Sequence, residues 1–315
     1  MVPPTHGFAE TNGVRMHFAE QGSGPLVLLL HGFPELWYAW RHQFEPLAAA
    51  GFRVVAPDLR GYGQTDCPEP LEAYDIFQLT GDIVGLVHAL GESTAVIAGH
   101  DWGAWLSAHL ALLRPDMFRG LALLSVPYVP RRPVNQTQWE QQTYPGKVFY
   151  QAGLRSPMVD QYLKYDVRAS ILRGLYSLSA EAGPEERFQP ARDPGPPSGA
   201  PPAKRPSWIT EEDVDHFARE FQRTGFTGGL NYYRNMDRNW TLTPFLEGAR
   251  ILQPSLFIAG ERDPVLEFHH SEFEALEQNV PNLTKKVLLP STGHWTQQER
   301  PNEVNQHLLD FLGGV

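Results

Sequence analysis

The 315-residue chain is poor in cysteine and has no long hydrophobic run. A single cysteine, Cys67, cannot close an internal disulfide. The longest apolar run, Leu26 to Leu30, is far shorter than the roughly 18–20 residues that a membrane-spanning helix needs. The N-terminus, Met1-Val-Pro-Pro-Thr-His, lacks the basic and apolar segments of a signal peptide. We therefore expect a cytoplasmic protein that does not associate with membranes.

Positive charge is also scarce, because 26 Lys and Arg stand against 36 Asp and Glu, giving a net charge of −10. Binding to nucleic acid needs a basic patch, and the nearest candidate, Arg131-Arg132, is too short. The sequence thus argues against a nucleic-acid partner.

No Cys/His cluster has the spacing of metal ligands, so we expect neither a metal nor an organic cofactor. Both a monomer and a homodimer remain open.

The pattern of strands and helices predicts an α/β fold with a mostly parallel sheet. The first 127 residues alternate strand-like and helix-like segments, which is typical of βαβ units. Strand signals return near the C-terminus, so we expect a core domain of residues 1–127 and 249–315. The predicted strands are Val14–Glu20, Leu26–Leu30, Val54–Ala56, Ala95–Ala98, Leu121–Leu124, Ser255–Ala259 and Lys286–Leu289, and the clearest helices are Tyr74–Leu90, Ala104–Leu113 and Asn302–Leu312.

The intervening residues 128–248 mix aromatic and polar side chains at helical spacing, without a clear buried strand. This pattern predicts a helical lid over the carboxyl ends of the parallel strands, where open α/β sheets bind their ligands. Within the lid, residues 183–206 contain 8 prolines among 24 residues. Such a segment cannot propagate helix or sheet, and we expect a mobile surface loop or a polyproline II segment.

The most informative segment, Gly99-His100-Asp101-Trp102-Gly103, lies between a predicted strand and a predicted helix. Its glycines have the G-x-nucleophile-x-G spacing of a nucleophile elbow, whose tight turn leaves no room for side chains at the two outer positions. The central Asp101 needs no base, because an aspartate with an ordinary pKa of about 3.9 is charged at neutral pH. A carboxylate suits attack on a saturated carbon with a leaving group or ring strain, and the product of that attack is an ester.

Hydrolysis of an ester requires a general base and a carboxylate that orients it. Asp263 follows the predicted strand Ser255–Ala259, and His294 follows the last predicted strand. The order nucleophile, acid, histidine is the order expected of α/β hydrolases. Glu261 is an alternative acid, but the loop position favours Asp263.

The segment His31-Gly32-Phe33-Pro34 follows the predicted strand Leu26–Leu30. A loop at this place can direct the backbone N–H of Phe33 into the pocket beside the N–H of Trp102. Together the two groups would form an oxyanion hole for the tetrahedral intermediate of ester hydrolysis.

The sequence resembles the epoxide hydrolases of the α/β-hydrolase fold, in particular the soluble type found in bacteria and as the C-terminal domain of the mammalian enzyme. This resemblance implies a mostly parallel sheet flanked by helices, with an inserted helical lid. The segments that carry it span nearly the whole chain and are His31–Arg41, Asp58–Gly63, Gly99–Gly103, Leu230–Trp240 and Gly293–Gln297.

In this family two lid tyrosines bind the epoxide oxygen and protonate the departing alkoxide. The Leu-Asn-aromatic-Tyr-Arg-Asn motif places one at Tyr233, and Phe149-Tyr150-Gln151 supplies the other. A phenol keeps its proton at neutral pH yet is a competent acid toward an alkoxide. The chain departs from the family after Tyr150, where Ala152-Gly-Leu-Arg155 replaces further aromatics, so other nearby tyrosines remain candidates: Tyr162, Tyr165 and Tyr232. The resemblance also implies an apolar substrate site with contributions from Trp37, Gln151 and Trp295.

The expected activity is conversion of an apolar epoxide and water to a vicinal diol. The closest alternative is a haloalkane dehalogenase, which shares the aspartate and the histidine–acid pair. Those enzymes hold halide with N–H donors, one from a Trp equivalent to Trp102 and another from a second Trp or an Asn directly after His-Gly, where this chain has Phe33. Fluoroacetate dehalogenases place Arg where this chain has Trp102. A catalytically silent binding protein is a third alternative, but such proteins usually lose a triad residue.

Overall fold

The computed structural model describes residues 3–195 and 203–315. Its centre is an eight-stranded sheet with the order β1-β2-β4-β3-β5-β6-β9-β10. The pairs from β4 to β10 are parallel, and β1 and β2 are antiparallel to their neighbours. These strands are β1 (Thr5–Thr11), β2 (Val14–Gln21), β3 (Leu26–Leu30), β4 (Arg53–Pro57), β5 (Ala95–His100), β6 (Phe118–Leu124), β9 (Ser255–Gly260) and β10 (Leu283–Leu289), and a separate antiparallel pair consists of β7 (Val148–Phe149) and β8 (Ala191–Arg192). The predicted mostly parallel sheet is confirmed.

Helices cover both faces of this sheet and form the segment between β6 and β9. They are α1 (Phe44–Ala49), α2 (Ile76–Ala89), α3 (Trp102–Leu113), α4 (Gln136–Thr143), α5 (Tyr150–Arg155), α6 (Met158–Tyr165), α7 (Val167–Ser177), α8 (Glu211–Thr224), α9 (Thr227–Arg234), α10 (Met236–Leu242), α11 (Pro264–Phe268), α12 (His270–Glu274), α13 (Leu276–Asn279), α14 (Thr296–Glu299) and α15 (Pro301–Leu312). Short 3-10 helices lie at Trp37–Trp40, Leu71–Tyr74 and Pro244–Leu246. No helix in the described ranges is long and apolar enough to cross a bilayer.

The central strands are buried on both faces because their side chains alternate between two apolar clusters. In β3, Leu28 and Leu30 pack into a cluster that includes the side chains of α2 and α3. Val27 and Leu29 point the other way, into a cluster with side chains of α1 and α15. A strand buried on both faces has no polar alternation, which explains why its sequence is a continuous apolar run.

The lid consists of α4 to α10, which follow β6 in the chain and precede β9. Its helix α9 lies over the end of β5, because the Tyr233 ring packs edge-on against Trp102 with ring centroids 4.8 Å apart. The position of these helices at the carboxyl ends of the strands agrees with the lid expected from the sequence. We propose residues 1–127 with 249–315 as the core domain and residues 128–248 as the lid domain.

Two expectations about strands need correction. The strands β7 and β8 lie in the lid segment, and β8 lies inside the proline-rich segment 183–206, where we expected no sheet. The two strands pair because residues 191–192 contain no proline and can complete a backbone ladder. Residues 196–202 of that segment lie outside the described residues. The sequence patterns also missed β1, an edge strand whose residues are mostly exposed and show no continuous apolar run.

Candidate active site

The turn between β5 and α3 holds Asp101 in an uncommon backbone conformation, with φ 54° and ψ −118°. A non-glycine residue in this region of φ is strained by roughly 1–3 kcal/mol, and such strain occurs mainly at functional sites. The flanking glycines make the turn feasible. A Cβ atom at Gly103 would overlap the carbonyl oxygen of Leu30, and a Cβ atom at Gly99 would overlap that of Gly103. The sequence spacing therefore corresponds to a sharp elbow that carries Asp101.

The two carboxylate oxygens of Asp101 have different surroundings. Oδ1 accepts a hydrogen bond of 2.9 Å from the backbone N–H of Phe33. Oδ2 lies 3.6 Å from Nε2 of His294. Burial raises the pKa of Asp101, but its interactions with His294, His100 and the Phe33 amide outweigh burial and lower the pKa below its ordinary value. The carboxylate is therefore ionised and available for nucleophilic attack.

The imidazole of His294 lies between Asp101 and Asp263. Its Nδ1 is 3.0 Å from Oδ2 and 3.2 Å from Oδ1 of Asp263. Asp263 also accepts a 2.8 Å hydrogen bond from the backbone N–H of Val265, which fixes the carboxylate at the start of α11. Burial lowers the pKa of His294, but the charges and hydrogen bonds of Asp263 and Asp101 outweigh it and raise the pKa to about 10. The resting site thus contains an imidazolium between two carboxylates.

The alternative acid, Glu261, does not reach this histidine. Its side chain is exposed and accepts a 3.4 Å hydrogen bond from the backbone of Ser291. Asp263, in contrast, is only 1% exposed. The structure therefore brings Asp263, and not Glu261, to His294.

The predicted oxyanion donors belong to two different segments of the chain. Phe33 contributes its N–H from the loop after β3. Trp102 is the first residue of α3, where backbone N–H groups have no acceptor within the helix. Glu35 stabilises the loop that contains Phe33, because its carboxylate accepts a 3.0 Å hydrogen bond from the backbone N–H of Gly32.

The buried side chains of Glu35 and His100 connect the loop of Phe33 with the loop of His294. Oε2 of Glu35 lies 2.7 Å from Nδ1 of His100, and Nε2 of His100 lies 2.8 Å from the backbone carbonyl oxygen of His294. Oε1 of Glu35 accepts hydrogen bonds from the side-chain amides of Gln297 and Gln298, at 3.1 and 3.0 Å. No sequence pattern identifies these two amides beyond their position after His294.

Tyr150 and Tyr233 face Asp101 across an apolar space. Both tyrosines line the same two cavities as Asp101, and their ring centroids are 6.5 Å apart. Burial raises the pKa of each phenol above its ordinary value, and the negative charge of Asp101 raises it further. Both hydroxyls therefore remain protonated donors in the resting site.

The two cavities meet at Asp101, Tyr150, Tyr233 and Val265, which line both. The smaller cavity, of about 90 Å³, runs between α3 and α4. The larger one, of about 340 Å³, runs under α6 and α7. Both have walls that are mainly apolar or aromatic, with Trp105, Val129, Trp139 and Phe149 in the smaller and Leu154, Leu163, Phe188 and Phe226 in the larger. Walls of this kind suit a mainly apolar ligand.

Known proteins resemble this chain over its whole length. The family model described as the alpha/beta hydrolase fold matches residues 25–301. The chain is 44% identical to epoxide hydrolase A of Mycobacterium tuberculosis, with 100% of this chain and 99% of the relative covered. It is 40% identical to epoxide hydrolase 3 of Siraitia grosvenorii, with 98% of each covered. The chain belongs to the epoxide hydrolases of the α/β-hydrolase fold.

Solved structures of this epoxide hydrolase family agree with the assignment. The epoxide hydrolase from an endophytic Streptomyces superimposes with a TM-score of 0.93 at 42% identity, covering 100% of this chain and 96% of that chain. Epoxide hydrolase A from Mycobacterium thermoresistibile gives a TM-score of 0.92 at 45% identity, covering 99% and 98%. The predicted fold and family are therefore confirmed.

Two tryptophans expected in the substrate site of this epoxide hydrolase lie elsewhere. Trp37 packs in the apolar cluster on the face of the sheet covered by α1 and α15. Trp295 is fully buried behind His294, with ring centroids 4.9 Å apart, and its indole N–H donates to the Leu175 carbonyl oxygen at 2.9 Å. Neither side chain lines the two cavities that reach Asp101. Trp37 and Trp295 are close in sequence to catalytic loops, but this does not determine whether their side chains face the cavities or the core.

The third expected substrate residue, Gln151, does line the smaller cavity, where its side-chain Nε2 lies 3.1 Å from the Tyr150 hydroxyl.

The alternative tyrosines are more exposed than Tyr150 and Tyr233 or make other contacts. Tyr162 lines the larger cavity but is 51% exposed, and Tyr165 is 93% exposed. The Tyr232 hydroxyl donates to the Arg60 carbonyl oxygen at 3.0 Å. In the described residues, no group of three or more His, Cys, Asp or Glu side chains is arranged to hold a metal ion.

Proposed function

We propose that the chain hydrolyses an apolar epoxide to a vicinal diol through an ester on Asp101. The observation that carries this proposal is the position of Asp101 between two sets of groups. The His294–Asp263 pair lies on one side, and the two protonated phenols of Tyr150 and Tyr233 face it across the apolar cavities. This arrangement supplies a nucleophile, a base and an acid for the two halves of the reaction.

In the first step, Oδ2 of Asp101 attacks a carbon of the epoxide, and the bond between that carbon and the epoxide oxygen breaks. The resulting alkoxide takes a proton from Tyr150 or Tyr233. Oδ1 is already hydrogen-bonded to the Phe33 amide, so it becomes the carbonyl oxygen of the ester. Ester formation also removes the negative charge that raises the pKa of both phenols, which makes them stronger acids as the alkoxide forms.

The same loss of charge prepares His294 for the second step. Asp101 is one of the two carboxylates that raise the pKa of His294, so ester formation lowers that pKa again. The imidazolium then releases its proton, which restores the tyrosinate to a phenol. The site therefore generates its general base only after the ester exists.

Neutral His294 next takes a proton from water, whose oxygen adds to the ester carbonyl carbon. The backbone N–H groups of Phe33 and Trp102 stabilise the negative charge on Oδ1. The bond between the carbonyl carbon and Oδ2 then breaks, and the departing diol oxygen takes the proton held by His294. The new Asp101 carboxyl group gives its own proton to the imidazole, which restores the resting site. Carboxylate, imidazole, phenols and water account for every bond and proton, so we propose that neither metal nor organic cofactor takes part. We also propose that the protein acts in the cytoplasm.

Dehalogenation of a haloalkane is the less favoured reaction. It requires N–H donors for the departing halide, and one of them would be the indole of Trp102. In this chain the indole of Trp102 instead packs edge-on against the ring of Tyr233, with ring centroids 4.8 Å apart. The second donor is absent from position 33, because the side chain of Phe33 has no polar atom. The phenols instead suit an oxygen leaving group.

The proposal predicts that Asp101→Ala abolishes diol formation from an aromatic epoxide, with a loss of at least about 10⁴-fold. Diol formation and halide release from a chloroalkane should be measured for the wild type and for this variant. Glu261→Ala is the matched control, because it removes an exposed carboxylate from the neighbouring loop and should keep wild-type activity. Halide release combined with inert epoxides would contradict the proposal and identify a dehalogenase.

A further inference from the structure

The hydroxyl of Tyr150 has a hydrogen-bond partner within the lid. Nε2 of Gln151, a residue only 8% exposed, donates to the phenol oxygen at 3.1 Å. A phenol has one hydrogen and an oxygen that accepts. Because its oxygen already accepts from Gln151, the hydrogen of Tyr150 is free to point into the cavity that contains Asp101.

The orientation of the Gln151 amide is fixed by a second glutamine. Its Oε1 accepts a 2.8 Å hydrogen bond from Nε2 of Gln136 in α4. The oxygen of a side-chain amide only accepts and its nitrogen only donates. The bond from Gln136 therefore holds the Gln151 oxygen away from Tyr150 and its NH₂ group toward Tyr150.

Gln136 is itself oriented by two ions of opposite charge. Its Oε1 accepts from Nη1 of Arg132 at 3.1 Å, and its Nε2 also donates to Oε1 of Glu140 at 3.2 Å. A guanidinium can only donate and a carboxylate can only accept. If the Gln136 amide were reversed, its NH₂ group would face the guanidinium of Arg132 and its oxygen would face the carboxylate of Glu140. Only the observed orientation therefore forms hydrogen bonds with Arg132, Glu140 and Gln151 together.

Both ions are held in place by partners of their own. Arg132 pairs with Glu272 at 2.7 Å, and its guanidinium carbon lies 3.9 Å from the ring centroid of Trp139. Glu140 forms two hydrogen bonds with Arg155, at 2.9 and 2.5 Å. Hydrogen bonds thus lead from Arg132 through Gln136 and Gln151 to Tyr150. Because the guanidinium of Arg132 can only donate, it determines the direction of each of these bonds.

We infer that Arg132, Gln136 and Gln151 are positioning residues that fix Tyr150 as a hydrogen-bond donor toward the epoxide oxygen. The inference rests on the proposed function, in which Tyr150 protonates the alkoxide. The same Gln151 N–H group stabilises the tyrosinate that remains after the proton has moved. The three residues therefore act on ester formation, and they have no part in the hydrolysis carried out by His294.

The test is to reverse the hydrogen-bond direction. In Gln151→Glu, a carboxylate replaces the NH₂ group, so the Tyr150 hydroxyl turns toward it and away from the epoxide. In Gln136→Glu, the new carboxylate requires a donor from Gln151, whose amide rotates and presents its oxygen to Tyr150. We expect ester formation to slow by about 10- to 100-fold in each variant, with ester hydrolysis unchanged.

The two rates are separated by rapid quenching with enzyme in excess, followed by the mass of the protein with and without the ester. Neither substitution should slow ester formation further in a Tyr150→Phe background, because the phenol that they orient is gone. The matched control is Gln138→Glu on the same helix, since Gln138 is exposed and a glutamate serves the capping box equally well. Thermal unfolding of each variant identifies those that fold.

The outcomes distinguish this inference from the proposed function. If the wild type forms no ester with any epoxide, the proposed function fails. If the wild type forms the ester but the folded Gln151→Glu or Gln136→Glu variant forms it equally fast, the positioning role is wrong. The positioning role would also be wrong if either glutamate substitution slowed ester formation as much in the Tyr150→Phe background as in the wild type. Such a loss would reflect general damage to the lid.

Discussion

Replacing His294 with Gln is expected to stop the reaction at the ester, with multiple turnover reduced by about 10⁴-fold or more. Asp101 keeps its oxyanion donors and the two phenols in this variant, so it still opens the epoxide. The base that activates water is missing. The other nearby imidazole, His100, cannot replace it, because its two nitrogens contact Glu35 and the His294 carbonyl oxygen. The protein should therefore gain the mass of one epoxide molecule.

The intact mass of His294→Gln after incubation with an aromatic epoxide gives the result directly. His88→Gln is the control, because His88 is exposed on α2 and lies in none of the contacts described for the site. It should turn over like the wild type and accumulate no adduct. Undiminished turnover in His294→Gln, without an adduct, would show that another group activates the water.

Removal of both lid phenols is expected to slow ester formation by about 10³- to 10⁴-fold, and removal of either one by about 10- to 100-fold. Tyr150 and Tyr233 both line the two cavities with Asp101, so one phenol can partly replace the other as the proton donor. In Tyr150→Phe/Tyr233→Phe the alkoxide would leave without a proton in a largely apolar cavity. Hydrolysis of a preformed ester should be nearly unchanged, because it depends on His294.

Rapid quenching of the single and double variants measures the rate of ester formation. Tyr232→Phe is the control, since the hydroxyl of Tyr232 donates to the Arg60 backbone instead of facing the cavity. It should lower the free energy of unfolding without changing that rate. A double phenylalanine variant that forms the ester at the wild-type rate would contradict the role of the tyrosines.

Local sequence predicted the centre of the site well because the required geometry is local. The two glycines around Asp101 are needed where the chain turns directly from β5 into α3, and the structure has the strained turn there. Asp263 and His294 follow parallel strands, so their loops meet at the same edge of the sheet. Burial then distinguishes Asp263 from the exposed Glu261.

Features that depend on packing between distant segments were not predictable in the same way. The direction in which Trp37 is buried depends on its contacts with the sheet, which no short pattern records. The contacts from Arg132 through Gln136 to Gln151 join residues on different lid elements. Arg132 appeared in the sequence only as part of a basic dipeptide. The β7–β8 pair likewise requires two lid segments to meet.

A single turnover in water labelled with oxygen-18, with enzyme in excess over the epoxide, tests the Asp101 ester most directly. We expect the first diol to carry an unlabelled oxygen from the Asp101 carboxylate. The peptide that contains Asp101 should carry the label instead, because water adds to the ester carbonyl carbon. Labelled diol together with an unlabelled Asp101 peptide would contradict the account, since water would then have attacked the epoxide without a covalent intermediate.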